Sequence, residues 1–171
     1  MKSSIAIIGF MGTGKTAVGR LLAEELGKQF LELDEYIAGC AGMSVTQIFE
    51  REGEIGFRER EITAVKEITG RPDTVIACGG GIVLNTINTD RLRTFCHVVC
   101  LTASPAAISR RCRQDGDTRP MLNGEEPAQK IRELLQYRRP FYERAAEIIV
   151  PTTGLSVAGV VDRIIGKLDD L

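Results

Sequence analysis

The chain predicts an α/β fold in three layers, a parallel sheet with helices on both of its faces. Three observations predict it. First, the apolar run Ile5-Ala6-Ile7-Ile8 has the length of a buried strand, and it enters Gly9-Phe10-Met11-Gly12-Thr13-Gly14-Lys15-Thr16. That stretch fits G-x-x-x-x-G-K-[ST], the phosphate-binding loop (P-loop) that joins a strand to a helix. Second, Ala17, Val18, Leu21, Leu22 and Leu26 follow at helical spacing. Third, strand-like and helix-like stretches alternate from there to the C-terminus, the order that builds a parallel sheet with crossover helices. With 18 glycines in 171 residues, a chance match to the motif somewhere is on the order of 1%. The strand before it and the helix after it therefore decide for a phosphate cradle over a plain glycine turn.

The elements follow in order. The first strand is expected at 4–9 and the first helix at 15–26, with Gly27 ending it as a left-handed cap. Phe30-Leu31-Glu32-Leu33 alternates apolar and polar and reads as the second strand, ending at Asp34 ahead of a short helix that stops near Gly39. Ser44-Val45-Thr46-Gln47 is a capping box, opening a helix with Ile48 and Phe49 that Gly53 ends. A longer helix at 54–69 stops at Gly70-Arg71-Pro72. Thr74-Val75-Ile76-Ala77-Cys78 is a buried strand, followed at once by Gly79-Gly80-Gly81 and then a helix at 86–95. Val98-Val99-Cys100-Leu101 is the fourth strand. Ser104-Pro105 opens a helix with a capping residue and a first-turn proline, and it runs to about Arg113. The polar stretch 114–126 is expected as a mobile lid. A helix at 127–144, a short strand Ile148-Ile149-Val150 and a terminal helix at 156–168 complete the chain. The last presents Val157, Val160, Val161, Ile164 and Leu168 on one face.

The length favours a single domain spanning 1–171. A net charge of −1 gives no basic field for a nucleic-acid partner. No apolar run approaches a membrane span, and the one after Lys2 stops at Gly9, so the expectation is a cytoplasmic protein. The five cysteines (Cys40, Cys78, Cys96, Cys100 and Cys112) are odd in number and lack a C-x-x-C pair. Cys78, Cys96 and Cys100 lie in apolar runs, as reduced cysteines do. His97, the single histidine, stands beside two of them, but a metal site there lacks further ligands.

In an open parallel sheet, ligands bind beyond the carboxyl ends of the strands, so those ends carry the candidate chemistry. Gly12 and Gly14 let the loop backbone turn its N–H groups onto an anion, and the following helix adds its positive dipole end. Lys15 reaches the β- and γ-phosphates and the Thr16 hydroxyl holds Mg²⁺. Asp34 faces an acceptor hydroxyl and assists its deprotonation; the plainer role is a helix cap, and the two are compatible. Glu32 has the same strand parity as Asp34 and would hold a water on Mg²⁺, or else be a solvated strand residue. Arg58 has Glu61 three residues on to fix its guanidinium for a carboxylate-bearing substrate, although Arg60 is as eligible by composition. Gly79, Gly80 and Gly81 strip side chains from one strand end, so that Gly80 and Gly81 present bare backbone to substrate oxygens, unless the run is only a tight turn. Arg119, in the expected lid, would swing onto the phosphates, or be one solvated arginine near Arg110, Arg111 and Arg113. Arg113 is the candidate for stacking on adenine.

Ala128, Ile131, Leu134, Leu135, Phe141 and Tyr142 define an apolar stripe on the helix before the last strand. At about 100° per residue, Arg138 falls near the middle of that stripe and Arg139 turns away. An arginine on a buried face needs an anionic partner, so Arg138 is the inward-facing anion ligand unless a core carboxylate pairs with it.

Taken together, Gly9–Thr16, Asp34, Gly53-Glu54, Phe57-Arg58 with Glu61, Gly79-Gly80-Gly81, Arg119-Pro120 and Arg138-Arg139-Pro140-Phe141-Tyr142 resemble the shikimate kinase family. That family comprises small P-loop kinases of the nucleoside-monophosphate-kinase-like group, and the resemblance runs from residue 5 to about 146. It implies a five-stranded parallel sheet in the order 2-3-1-4-5, with a substrate-binding subregion at about 34–61 and a lid at about 114–126. It implies that Asp34, Arg58, Gly80 and Arg138 bind shikimate, the two arginines taking its carboxylate. Gly12, Thr13, Gly14, Lys15, Thr16, Ala17 and Arg119 would bind ATP, with one Mg²⁺ on Thr16. The implied reaction moves the γ-phosphoryl group of ATP to the 3-hydroxyl of shikimate in aromatic amino-acid biosynthesis, catalysed through Lys15, Asp34 and Arg119 in a cytosolic monomer. One position departs from the family, Glu32, where Asp is common. A related kinase of gluconate and a non-catalytic nucleotide-binding module are the rival readings. The triple glycine and Phe57-Arg58 weigh against the first; Lys15, Thr16, Asp34 and Arg119 together weigh against the second.

Overall fold

The computed structural model describes residues 2–114 and 127–171. Its strands are β1 (Ser4–Gly9), β2 (Gln29–Glu32), β3 (Thr74–Ala77), β4 (Cys96–Thr102) and β5 (Ile148–Pro151). Its helices are α1 (Lys15–Glu25), α2 (Leu33–Ala41), α3 (Val45–Ile68), α4 (Thr86–Phe95), α5 (Pro105–Gln114), α6 (Pro127–Ala145) and α7 (Val157–Asp169). The strands pair in the order β2-β3-β1-β4-β5, all parallel.

The central strand β1 is buried along its whole length, because helices cover both sides of the sheet. Its alternate residues serve two cores. Ala6 and Ile8 pack with Ile37 of α2, Phe57 and Val65 of α3, Leu92 of α4 and Ile131 of α6. Ile5 and Ile7 pack with Val18 and Leu22 of α1 and Val160, Val161 and Ile164 of α7. A one-residue slip of β1 would exchange these two sets, so the side-chain pattern fixes the register. The register in turn lines up the carboxyl ends of β1, β2 and β3.

Most element ends fall where the residues predict. Gly27 takes the left-handed cap, with a φ of 61°. The capping box forms, Gln47 N donating to Ser44 Oγ at 3.2 Å and Ser44 N to Gln47 Oε1 at 3.0 Å. The helix it opens breaks at Gly53 as expected, for Gly53 takes the non-helical angles φ 72° and ψ −174°, and α3 is two helical stretches joined across that kink.

Three local expectations are corrected. The strand expected at 30–33 ends at Glu32, and Leu33 already begins α2, because Leu33 is pulled wholly into the core. Residues 82–84, expected only as a connection, form a 3₁₀ turn (Ile82–Leu84) with Ile82 and Val83 buried. Val157 and Ala128 lie outside the apolar faces assigned to them, both being exposed.

Cys78, Cys96 and Cys100 are buried and reduced, and burial raises each thiol's pKa, that of Cys96 to about 11 and that of Cys100 to about 12. Among the described residues no cluster of three metal-ligating side chains occurs and no helix is long and apolar enough to cross a membrane.

Candidate active site

The phosphate loop follows β1 directly. Gly12 and Gly14 sit at φ 72° and 93°, in the left-handed region that side chains rarely adopt. Gly14 is the N-cap of α1 and brings no side chain to cap it, which leaves the helix start and its dipole to an incoming anion. Lys15 Nζ folds back to Phe10 O at 3.0 Å. Thr13 turns its hydroxyl inward, to Phe10 O at 2.7 Å, so its backbone is the part a nucleotide would meet.

The loop is braced from α5. Arg111 Nη1 donates to Gly12 O at 3.0 Å and to Thr152 Oγ1 at 2.9 Å, and Nη2 donates to Thr152 O at 3.2 Å. Arg111 thus ties the phosphate loop to the turn after β5. Its neighbour Arg113 is exposed and held to its own helix by Ser109 Oγ at 3.0 Å.

At the end of β3 each of the three glycines lies against a different partner, and Gly79 and Gly81 make room for theirs. A Cβ on Gly79 would stand 2.9 Å from Asp34 Oδ1. One on Gly80 would stand 3.5 Å from the backbone N of Met11 and 3.8 Å from Arg138 Nη1. One on Gly81 would overlap the Arg58 guanidinium. This one turn therefore gathers the first turn of α2, the phosphate loop, α6 and α3 around a single crevice.

Two arginines flank it. Arg58 Nη1 donates to Glu61 Oε1 at 2.9 Å, and Nη2 reaches Glu54 Oε1 at 3.5 Å. Glu61 is wholly buried, and burial pushes its carboxyl up to about 7 against the pull of Arg58. Arg60, its rival by composition, is turned aside to Glu52, at 2.7 and 2.8 Å. Arg138 is 4% exposed, on the buried stripe of α6, with its guanidinium 5.7 Å from the centre of the Phe10 ring. Its Nε has no hydrogen-bond partner among the described residues. A buried guanidinium in this state is the expected resting form of an anion ligand. Arg139 points to solvent and pairs with Glu143 at 2.7 Å. Tyr142, one turn beyond Arg138, donates its hydroxyl to Gly80 O at 2.5 Å. Burial holds that phenol up at about 12, with Arg138 beside it pulling the other way, so it stays a donor.

The carboxylates meet on the loop side. Thr16 Oγ1 donates to Glu32 Oε2 at 2.7 Å. Burial raises the Glu32 carboxyl above its ordinary range, the Thr16 hydrogen bond lowers it, and neighbouring Asp34 raises it again. Glu32 and Asp34 are close, but not through strand parity. Glu32 is the N-cap of α2 and Asp34 lies in its first turn. Nor is Asp34 the cap. A hydroxyl and a carboxylate at this separation form an all-oxygen donor pair of the kind Mg²⁺ takes. Arg119 lies outside the described residues.

Three contributors escaped the sequence reading. Tyr142 reads from the sequence as an apolar residue within the family's motif, with no donor role, although it lies four residues beyond Arg138 on the same stripe. Asn88, fully buried on α4, donates Nδ2 to Glu61 Oε2 at 3.2 Å. Its signal was a polar residue one turn before buried Leu92, since a polar group on a core face needs a partner. Arg111 carried no local signal.

A family model described as Shikimate kinase matches residues 11–169. The shikimate kinase of Symbiobacterium thermophilum is 44% identical over 168 residues, 98% of this chain and 97% of that protein. Among solved structures, the shikimate kinase from Acinetobacter baumannii in complex with shikimate superposes with a TM-score of 0.93 at 36% identity, over 99% of this chain and 94% of that one. A gluconokinase from Sinorhizobium meliloti superposes with a TM-score of 0.62 at 19% identity, over 99% of this chain and 94% of that one, a likeness of fold alone.

Proposed function

The chain belongs to the shikimate kinase family, and from that premise we propose which residues carry the γ-phosphoryl group of ATP to the 3-hydroxyl of shikimate, the step that makes shikimate 3-phosphate for aromatic amino-acid biosynthesis. One observation supports the assignment above all. The turn at Gly79, Gly80 and Gly81 has Asp34, Arg138 and Arg58 against its successive residues and the phosphate loop against its middle one.

The backbone of Gly12, Thr13, Gly14, Lys15, Thr16 and Ala17 wraps the ATP phosphates, with the dipole of α1 behind it. Lys15 leaves Phe10 O for the β- and γ-phosphates. Arg58 and Arg138 grip the shikimate carboxylate from α3 and α6, and the backbone of Gly80 and Gly81 meets the ring's oxygens. Asp34 accepts the proton of the 3-hydroxyl as that oxygen attacks phosphorus. The bond to the ADP oxygen breaks as the new P–O bond forms, and ADP leaves with the electron pair. Arg119 neutralises charge on the transferring group. Thr16 directly, and Glu32 through a water, would hold Mg²⁺, which would supply charge neutralisation on the phosphates. We place the enzyme in the cytoplasm as a monomeric single domain, with residues 34–61 as its substrate-binding part.

The test is ADP release from ATP and Mg²⁺ with shikimate, with gluconate or with no acceptor. Turnover dependent on shikimate is the expected result. Turnover on gluconate alone would overturn the acceptor assignment, and nucleotide binding without acceptor-dependent turnover would make the chain a binding module.

A further inference from the structure

Glu61 is buried where several elements meet. Arg58, on its own helix, gives it one hydrogen bond and Asn88 of α4 gives it a second, at 2.9 and 3.2 Å. Asp34 of α2 and the Cys78 thiol after β3 are the other titratable groups that face it. The thiol's pKa is driven well above its ordinary range, so it stays neutral. The Arg58 pair alone leaves a carboxylate free to rotate about its last bond, with one oxygen unheld. Asn88 holds that oxygen. Among the described residues this is the one hydrogen bond its side chain makes, for Oδ1 has no partner. An amide buried at the cost of an unsatisfied oxygen is poor packing in its own right, and its remaining contact points at Glu61.

We propose that Asn88 is a positioning residue for acceptor binding: its amide fixes Glu61, and Glu61 so fixed aims Arg58 at the acceptor's carboxylate. The inference rests on the role given to Arg58 above. The aim matters because the guanidinium occupies a slot that a single methyl on Gly81 would close. A second consequence concerns protons. Burial favours neutral Glu61, and the hydrogen bonds from Arg58 and Asn88 favour the charged form. Without the amide, Glu61 takes up a proton at higher pH, and Arg58 loses a charged partner for a neutral one. In the parent protein the KM for shikimate is therefore expected to rise as pH falls through about 7.

The experiment compares the parent with Asn88→Leu, similar in volume without donors, and Asn88→Asp, equal in shape with a second acid. It measures kcat and both KM values from about pH 6 to about pH 9, across the range in which a buried carboxyl titrates. Asn88→Leu is expected to raise the KM for shikimate about tenfold near pH 7.5 and leave that for ATP within about twofold. It should also move the upturn of the shikimate KM to higher pH, by about one unit, with Asn88→Asp moving it further. Should Asn88→Leu not fold, Asn88→Asp carries the same test. An unshifted pH profile, or an equal rise of both KM values, overturns the proposal. Absence of shikimate-dependent turnover in the parent would instead overturn the reading on which it rests.

Discussion

At the phosphate loop, Gly9, Gly12 and Gly14 lie at φ 150°, 72° and 93°, conformations that the backbone needs in order to curl around an anion. Among Gly79, Gly80 and Gly81 none takes a positive φ, and Gly81 sits at −92°. Any residue could adopt that backbone. What the second turn supplies, at Gly79 and Gly81, is room, for Asp34 and Arg58 stand where side chains would otherwise project, while Gly80 lies in ordinary contact with the phosphate loop and Arg138. Two glycine-rich turns meet in one crevice, the first selected by torsion and the second by volume. Damage to the first should therefore appear in the loop's own stability and in the nucleotide. Damage to the second should appear in the acceptor alone.

The largest effect should come from the cation that lies against Gly80. Arg138→Ala removes a buried guanidinium whose anionic partner, in the proposed assignment, is the substrate, and the KM for shikimate should rise about a hundredfold. Arg139→Ala, on the exposed pair with Glu143, should change it less than about twofold. Steady-state kinetics at saturating ATP decides the matter. Equal losses in the two variants would mean that burial on α6 does not select the ligand.

A sharper division comes from adding one methyl to each turn. Gly81→Ala pushes on the far end of the Arg58 side chain, which is flexible, so the melting temperature should hardly move. The displaced guanidinium should raise the KM for shikimate some tenfold to thirtyfold, the scale of an ångström of misplacement. Gly12→Ala forces a left-handed alanine at about 1 kcal/mol and brings its Cβ within 3.2 Å of Cys112 Sγ. It should lower the melting temperature by about 2–4 °C and weaken ATP, leaving the shikimate KM close to the parent's. Calorimetry and the two KM values together test the division. A destabilised Gly81→Ala with normal acceptor binding would erase it.

The same contrast explains what the residues reveal before folding. The phosphate loop is local, since its strand, turn and helix are contiguous, and it reads directly from the chain. Arg138 was legible because helix phase is also local: the stripe of Ile131, Leu134, Leu135 and Tyr142 fixes which of two adjacent arginines is buried. The pairing of Glu32 with Asp34 was expected for the wrong reason, because whether Leu33 continues a strand or starts a helix is decided by the core it enters. Asn88 and Arg111 were out of reach for a plainer cause. Their partners lie 27 and 99 residues away in sequence, at Glu61 and Gly12. No periodicity links such pairs, and only the assembled sheet brings them together. The triple glycine fell between these cases. Its bareness was visible, and the two side chains that need the space, Asp34 and Arg58, were not.

The smallest effect tests whether the volume-selected turn also needs to be held. Tyr142 donates to Gly80 O and lies beside Arg138, so one phenol steadies both the backbone proposed to meet the substrate and the cation proposed to bind its carboxylate. Tyr142→Phe keeps the ring in the core and removes the hydroxyl. The Gly80 carbonyl then loses a hydrogen bond worth about 1 kcal/mol, which corresponds to about a fivefold rise in the KM for shikimate if the turn relaxes by that much. The KM for ATP should stay put, since the phosphate loop holds its shape by its own torsions and by Arg111. An ATP effect as large as the shikimate effect would mean that the two turns move as one body. The distinction between torsion and volume would then describe their glycines and not their mechanics.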